Sequence, residues 1–600
     1  ELTSKLQTAK DEGRYQIELG TKGNNLSASV KKQIEDCNLT GIEFVESNSR
    51  YYPLGDFCSY VVGYAKSYND QSVKKMVGEM GLELSYDKQL KGKNGYKVYQ
   101  TDANGYALVD GTLREKDPTN GNDLYLTIDS GLQRNLDYLM SNAYSESGAE
   151  VVTAGVMEIK TGKILAMSTY PSFNPNERNI STFNNYFLEG TIECGSVFKP
   201  FIYADSIEEG KYDHSAYYNS GSYNVYYGNK LVATIKDHNG GQGWGTITYD
   251  QGLYHSSNVA ICNLLDQGYV TKDVLTEKLN DLGFFQGDIM DGLTCSSSIN
   301  AYTRKNAGRL EYLTTGFGQG STVTPYQLLK AYSVFGNDGK TVQPHIVDKV
   351  VNPETNKVVY QATPKYSKQI FSTNTISQVK DLMLGVIEDE QGTGKTYRLD
   401  NDVRMIGKTG TGQVVENGGY STTLYMHSFV GIAPYDDPQV VMFLTFKSGD
   451  SYAQYMPNIV KQTMNEALQV VNRYNAKNTT AVDQSYTLDS YTNQSVNYVK
   501  SKLESKSLSV QIIGNGSSVI EQYPLTKSKV TSGDKVFIKT EGKDITLPNL
   551  IGWSKKEVQT YASLAGIQLT IDGTSGHVTA QSVGENTVVH SGDSLTVAIS

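Results

Sequence analysis

Three short polar motifs lie far apart in this chain, and its fold has to gather them: Ser196-Val-Phe-Lys199, Ser256-Ser257-Asn258 and Lys408-Thr409-Gly410-Thr411. A serine hydroxyl is a poor nucleophile near neutral pH and needs a neighbour to take its proton. Ser196 and Lys199 are three residues apart, so a helix starting at Ser196 puts both side chains on one face. Its N-terminus would favour negative charge developing there. Ser256 follows Ser196 by 60 residues, and Lys408 follows Asn258 by 150, after the strand-like Val403–Gly407. Ser256 can relay protons between Lys199, Lys408 and a leaving amine, and Asn258 can donate to an amide carbonyl. A Lys-Thr-Gly strand offers a cationic end and an open edge for an extended peptide. Gly410 lets a substrate backbone come close, and the N–H groups of Ser196 and Thr411 would form an oxyanion hole. Any one of these patterns is weak alone; the three in this order carry the signal.

At roughly 100–200 residues per domain, a chain of this length divides into three to five units. Residues 1–115 mix short helical and strand patterns and contain the phrases Arg50-Tyr-Tyr-Pro-Leu-Gly55 and Gly81-Leu-Glu-Leu-Ser-Tyr86. Residues 116–480 read as an α/β domain. It opens with a strand at 123–129, a helix presenting Leu132, Leu136 and Leu139, and the hairpin Val151–Ser168. It closes with strands at 403–407, 427–433 and 440–446. Residues 474–490 are polar and read as a linker. The tail holds two copies of a helix-plus-strands unit, 486–542 and 543–600. Gly533-Asp534 and Gly592-Asp593 are 59 residues apart, and each pair follows an amphipathic helix carrying Val496, Val499 and Leu503 or Val558, Tyr561, Ala562 and Ala565.

The net charge is −10 and no dense Lys/Arg run is present, which argues against a nucleic-acid partner. Five cysteines, odd in number and without a framework spacing, argue against a disulfide-held fold. No apolar run reaches the ~18 residues of a membrane span and no signal peptide is visible. The polar, helix-like start at Glu1 reads as a chain whose beginning has been removed. Gly316-Phe-Gly-Gln-Gly320 resembles a nucleotide loop but lacks the strand–loop–helix setting, so it reads as structural. His427 reads as a packed or surface histidine rather than a base.

The motif order Ser-x-x-Lys, Ser-x-Asn, Lys-Thr-Gly is that of penicillin-binding proteins and serine β-lactamases. The chain resembles a monofunctional, class B penicillin-binding protein over nearly its whole length. Arg50–Gly55 and Gly81-Leu-Glu83 resemble the family's N-terminal pedestal, Gly155–Met167 the first strands of its transpeptidase fold, and Leu547-Pro-Asn-Leu-Ile-Gly-Trp553 a PASTA domain. The resemblance implies a multidomain α+β architecture: pedestal, antiparallel transpeptidase sheet with helices, and two small PASTA-like units. It also implies a D-Ala-D-Ala transpeptidase that acts on peptidoglycan stem peptides through a Ser196 acyl-enzyme and is trapped by β-lactams. The family's setting is the outer face of the cell membrane, with an N-terminal anchor helix and glycosyltransferase, divisome or spore-cortex membrane partners. The competing readings are a β-lactam hydrolase or sensor, and a catalytically silent wall-binding scaffold.

One departure stands out. The family usually writes Glu-Pro-Gly-Ser, and here the segment is Glu193-Cys194-Gly195-Ser196. If the fold joins Ser196 to Ser256, Cys194 and His255 come together, and Asp237-His238 lies between the motifs. Cys194, Asp237, His238 and His255 then form a candidate structural zinc set. The alternatives are a redox-sensitive Cys194, its thiol acidified by the helix N-terminus, and a small buried hydrophobe.

Overall fold

The computed structural model describes residues 2–599 except 18–22, 24–25, 27, 45–48, 71–72, 103–106, 400–402, 417, 480–484, 505, 507, 532–533 and 574–577. The chain forms two compact units, residues 1–52 with 62–120, and residues 53–61 with 121–600.

In the first unit, strands Tyr64–Asp70 and Val73–Met80 pair antiparallel, as do Tyr96–Thr101 and Ala107–Lys116. The two phrases noted in its sequence meet. Arg50 forms a two-pronged ion pair with Glu83, Nε to Oε1 at 2.8 Å and Nη2 to Oε2 at 3.1 Å. The Tyr52 hydroxyl accepts from the Ala65 N–H at 2.7 Å and donates to Glu83 at 3.4 Å.

The second unit is built on a five-stranded antiparallel sheet. In chain order its main elements are α1 (Ser130–Ser147), β1 (Val151–Glu158), β2 (Ile164–Tyr170), α2 (Lys199–Glu208), α3 (Asn258–Asp266), α4 (Thr373–Glu388), β3 (Ile406–Glu416), β4 (Gly419–Ala433), β5 (Val440–Ser448) and α5 (Met456–Thr479). The strand order is β3-β4-β5-β1-β2, which leaves β3 at an edge. Every residue of β1 is buried, so the apolar run lacks the alternation of a half-exposed strand. Val152, Ala154 and Val156 face a core shared with Leu132, Leu136 and Met140 of α1 and Met464 and Val471 of α5. On the other face Gly155 lies so close to Phe187 that an added Cβ would stand 2.3 Å from the ring. Asp129 caps α1 by accepting from the N–H groups of Gly131 and Leu132, and Gly148, at φ 68°, ends it.

Two boundaries differ from the sequence reading. The segment expected at 403–407 becomes strand only at Ile406 and then runs to Glu416, so Lys408-Thr409-Gly410 sits inside β3. The polar stretch after 474 begins as helix, because α5 continues to Thr479. Tyr474-Asn-Ala-Lys-Asn-Thr479 contains no Gly or Pro to stop it. Residues 480–484 of the expected linker, and Ser532-Gly533 of the first tail turn, lie outside the described residues.

Each tail copy has a helix, Val496–Glu504 or Lys555–Ala565. Each also has a three-stranded mixed sheet of one topology, in which Ser509 pairs parallel with Lys535 and Gln568 with Ser594. The copies share a core: Ile513 and Phe537 of the first pack with Leu547, Tyr561 and Ile567 of the second. Among the described residues no helix is long and apolar enough to cross a membrane.

Candidate active site

The nucleophile segment is a 3-10 turn, Gly195–Phe198, that runs into α2 at Lys199. The expected helix therefore starts with a tighter turn, and Ser196 lies within it. Gly195 has φ +61°, and a Cβ there would fall 2.3 Å from the Thr411 carbonyl oxygen. Its N–H donates to the Gly318 carbonyl at 3.0 Å, and a Cβ on Gly318 would strike the Gly195 oxygen at 2.2 Å. The glycine-rich stretch Gly316–Gly320 is thus packing for the nucleophile turn, as its sequence setting suggested. A Cβ on Gly410 would meet the Cys194 carbonyl at 2.7 Å, so β3 fits directly against this turn.

The three motifs converge on one hydroxyl. Ser256 Oγ accepts from Lys408 Nζ at 2.8 Å and from Lys199 Nζ at 3.4 Å, and Lys199 also donates to the Ser256 carbonyl. Both lysines are fully buried. Burial pushes Lys199 down to about 7, against the opposing pull of Asp237 and Cys262. Burial, then repulsion from Lys199, holds Lys408 well below the ordinary lysine range. Two amines pressed together in a dry site resist carrying two charges, which leaves a neutral amine available as a proton acceptor near pH 7. Thr409 is tied to a further segment, its hydroxyl donating to Thr393 at 3.0 Å. Thr411 pairs with His427 across β3 and β4. His427 is buried and stacked on Tyr452 at 3.5 Å between ring centres, so it is a packed histidine.

Asn258 is the first residue of α3, and its Nδ2 donates to the Lys236 carbonyl at 2.9 Å. A side-chain amide has a second N–H and a carbonyl oxygen to offer a substrate.

Each of the four candidate zinc ligands has protein contacts of its own. Among the described residues no three His, Cys, Asp or Glu side chains are grouped to hold a metal ion. Asp237 spends both oxygens on hydrogen bonds. Oδ1 accepts from Ser257 Oγ at 2.9 Å, Asn258 N at 2.7 Å and Val259 N at 3.1 Å, and Oδ2 from Gly221 N at 2.8 Å. His238 and His255 both pack on Trp244, with ring centres 5.4 and 4.6 Å away, His255 stacked nearly parallel. The Cys194 thiol is buried and pushed far up by that burial, the reverse of the acidified, redox-sensitive thiol considered from sequence. It fills space as a small hydrophobe.

Trp244 and Thr393 were not singled out from sequence. A lone Trp and a Gly392-Thr-Gly394 loop are too common to signal a role. Glu193 was passed over as well; its Oε1 accepts from the Tyr420 hydroxyl at 3.1 Å, fastening the β3–β4 hairpin beside the nucleophile turn.

The penicillin-binding protein transpeptidase domain model matches residues 152–469, the penicillin-binding protein dimerisation domain model residues 1–126, and the PASTA domain model residues 486–542 and 545–600. This chain belongs to the penicillin-binding protein transpeptidase family. It is 30% identical to stage V sporulation protein D of Bacillus subtilis over 543 residues, covering 87% of this chain and 80% of that one. It is 27% identical to a probable peptidoglycan D,D-transpeptidase PenA of Neisseria meningitidis, covering 72% of this chain and 69% of that protein. The crystal structure of penicillin-binding protein 2X from Streptococcus thermophilus superposes with a TM-score of 0.67 at 25% identity, covering 98% of this chain and 89% of that one. The multidomain α+β architecture expected of a class B member is therefore present: dimerisation-type domain, transpeptidase core and two PASTA domains.

Proposed function

We propose that this penicillin-binding protein cross-links peptidoglycan stem peptides as a serine D,D-transpeptidase with Ser196 as nucleophile. The observation that carries the assignment is the Ser256 hydroxyl shared by two buried lysines beside the Ser196 turn. Neutral Lys199 takes the Ser196 proton as Oγ attacks the carbonyl carbon of the D-Ala-D-Ala amide. The N–H groups of Ser196 and Thr411 receive the oxyanion. As the C–N bond breaks, the proton passes by way of Ser256 to the departing D-alanine amine. The amine of a neighbouring stem peptide then attacks the Ser196 ester carbonyl and gives a proton to the lysines; as the C–O bond breaks, that proton passes to Ser196 Oγ, which restores the free serine and the neutral amine. The edge of β3 receives the donor peptide as an added strand, and Asn258 holds its amide. β-Lactams mimic the dipeptide and stop at the ester.

Similarity to a stage V sporulation protein across 87% of the chain supports a role in spore-wall synthesis over division. The family setting supports an extracytoplasmic enzyme working with membrane-bound glycosyltransferase partners. Fluorescent penicillin tests the assignment. The chain is expected to label at Ser196, to keep the label, and to lose it in Ser196→Ala. Rapid loss of the label would indicate a hydrolase, and no label would indicate a silent scaffold. A chelator is expected to leave labelling unchanged. Labelling lost on chelation and restored by zinc would support the zinc set.

A further inference from the structure

Asp237 directly follows the strand Lys230–Lys236 and is almost wholly buried under the Ser256 loop. Its Oδ1 gathers the Ser257 hydroxyl and the Asn258 and Val259 N–H groups, while Oδ2 takes the Gly221 N–H. The preceding carbonyl, that of Lys236, takes the Asn258 side chain. Two adjacent residues therefore grip the backbone and the side chain of the second motif from below. Above them Ser256 has φ +59°, a left-handed conformation seldom adopted by residues of its type. In that conformation it turns both its carbonyl and its hydroxyl toward Lys199.

The start of any helix leaves backbone N–H groups without partners, and a carboxylate is the strongest acceptor the chain can supply for them. Ser257 alone supplies the usual local cap, accepting from Ala260 N at 3.0 Å. Asp237 adds a second layer from another part of the sequence. On the transpeptidase reading given above, we propose that Asp237 is the positioning residue of this active site. It touches no substrate, but by holding Ser257, Asn258 and Val259 it keeps Ser256 in the left-handed turn that serves both lysines. Asparagine cannot replace it. One of the two carboxylate positions would become an NH2, facing either the three donors on Oδ1 or the Gly221 N–H.

A comparison within the same unit separates positioning from plain stability. Glu208 caps α4 in a similar way, accepting from Ser372 N at 3.0 Å and Ser372 Oγ at 2.9 Å, but its partners lie outside the Ser256 loop. The experiment measures penicillin binding (KS) and acylation (k2) by stopped flow, per active enzyme, in the parent, Asp237→Asn, Ser257→Ala and Glu208→Gln, with a melting curve for each. Asp237→Asn is expected to lower k2 at least roughly ten-fold with KS little changed, the signature of an interaction felt in the transition state. Ser257→Ala should lower k2 less, and Glu208→Gln should move only the melting curve. A k2 for Asp237→Asn equal to the parent's, or a loss matched by Glu208→Gln, overturns the proposal. Should Asp237→Asn fail to fold, Ser257→Ala decides, and an unchanged k2 there overturns it too. A parent that is not acylated at all overturns the transpeptidase reading instead.

Discussion

At the catalytic centre Lys199 and Lys408 lie fully buried side by side, with neutral oxygens for partners. At the junction of the two tail repeats Lys535 sits with its Nζ 3.6 Å from the centre of the Trp553 ring and 3.2 Å from the Glu557 carboxylate. In both places burial lowers the lysine's proton affinity. Glu557 opposes that at Lys535, whereas Lys408 has a second amine pushing the same way. The tail arrangement compensates the charge. At the catalytic centre Asp237 opposes burial at Lys199 without cancelling it, which produces a neutral amine and costs stability. The general lesson is that a buried cation near a structural partner marks packing, and one near another cation marks chemistry.

Replacing Lys199 tests the catalytic side most severely. Lys199→Met is expected to slow penicillin acylation by about 10²–10⁴-fold, the usual scale for loss of a general base. The same variant should unfold at higher denaturant concentration, because a fully buried polar amine has been exchanged for an apolar chain of similar length. Activity and stability moving in opposite directions is the diagnostic result, read from acylation rates and urea titration together. A variant that is both inactive and less stable would mean that the lysine is compensated after all.

The tail should show the converse. Phe537 is buried at the shared core of the repeats, 5.8 Å from Trp553 between ring centres. Phe537→Ala is expected to cost about 3–5 kcal/mol of tail stability while leaving acylation untouched. The chain has only two tryptophans, Trp244 beside the active site and Trp553 in the tail. Trp244→Phe therefore leaves a fluorescence signal that follows the tail alone. A fall in acylation alongside the tail signal would show that the two regions depend on each other.

A pH series sharpens the same contrast. With Lys199 held at about 7, acylation should fall about 100-fold from pH 8 to pH 5 as the base is protonated. The stability consequence follows from proton counting. Between about 7 and the ordinary lysine value of 10.5 the unfolded chain binds the Lys199 proton and the folded chain does not. Stability therefore rises with pH through that window; Lys408, also held low, adds to the rise, and Lys199→Met should make it shallower. Stability independent of pH between 7 and 10 in the parent would mean that both lysines keep their protons on folding.

These residues differ in how far the sequence exposes them. Ser196, Lys199, Ser256 and Lys408 stand out in the sequence because each lies in a short pattern, and the structure brings Lys199, Ser256 and Lys408 together. The helix faces of Val496, Val499 and Leu503 and of Val558, Tyr561 and Ala565 were readable from spacing and repetition. Asp237 was noticed as a candidate zinc ligand, while its capping of the Ser256 loop was not read. Its partners Asn258 and Val259 lie some twenty residues further along, and capping from that distance leaves no local motif, whereas Asp-His beside a Cys and another His resembles a metal set. The indole of Trp244, lying against both imidazoles, is a tertiary fact with no sequence counterpart. The end of α5 was set too early for a simpler reason: a polar segment without Gly or Pro can stay helical.

The smallest expected effect tests whether the tail lysine is the stabilising counterpart it resembles. Lys535 begins a strand of the first repeat, while Trp553 and Glu557 belong to the second. The contact therefore joins the repeats from outside their apolar core. A cation over an indole is worth roughly 0.5–2 kcal/mol, and a partly exposed ion pair adds no more than about 1 kcal/mol. Lys535→Met keeps most of the apolar stem against the ring and removes only the charge. It should therefore cost the tail about 1 kcal/mol, well below the loss from Phe537→Ala, with Trp553 fluorescence as the readout. High salt should shrink the Glu557 share of that loss and spare the indole share. If Lys535→Met instead stabilises the tail, as Lys199→Met is expected to stabilise the catalytic unit, then Glu557 and Trp553 do not offset the burial of the charge. The difference between the two lysines would then lie in their neighbours' chemistry alone and not in their energetics.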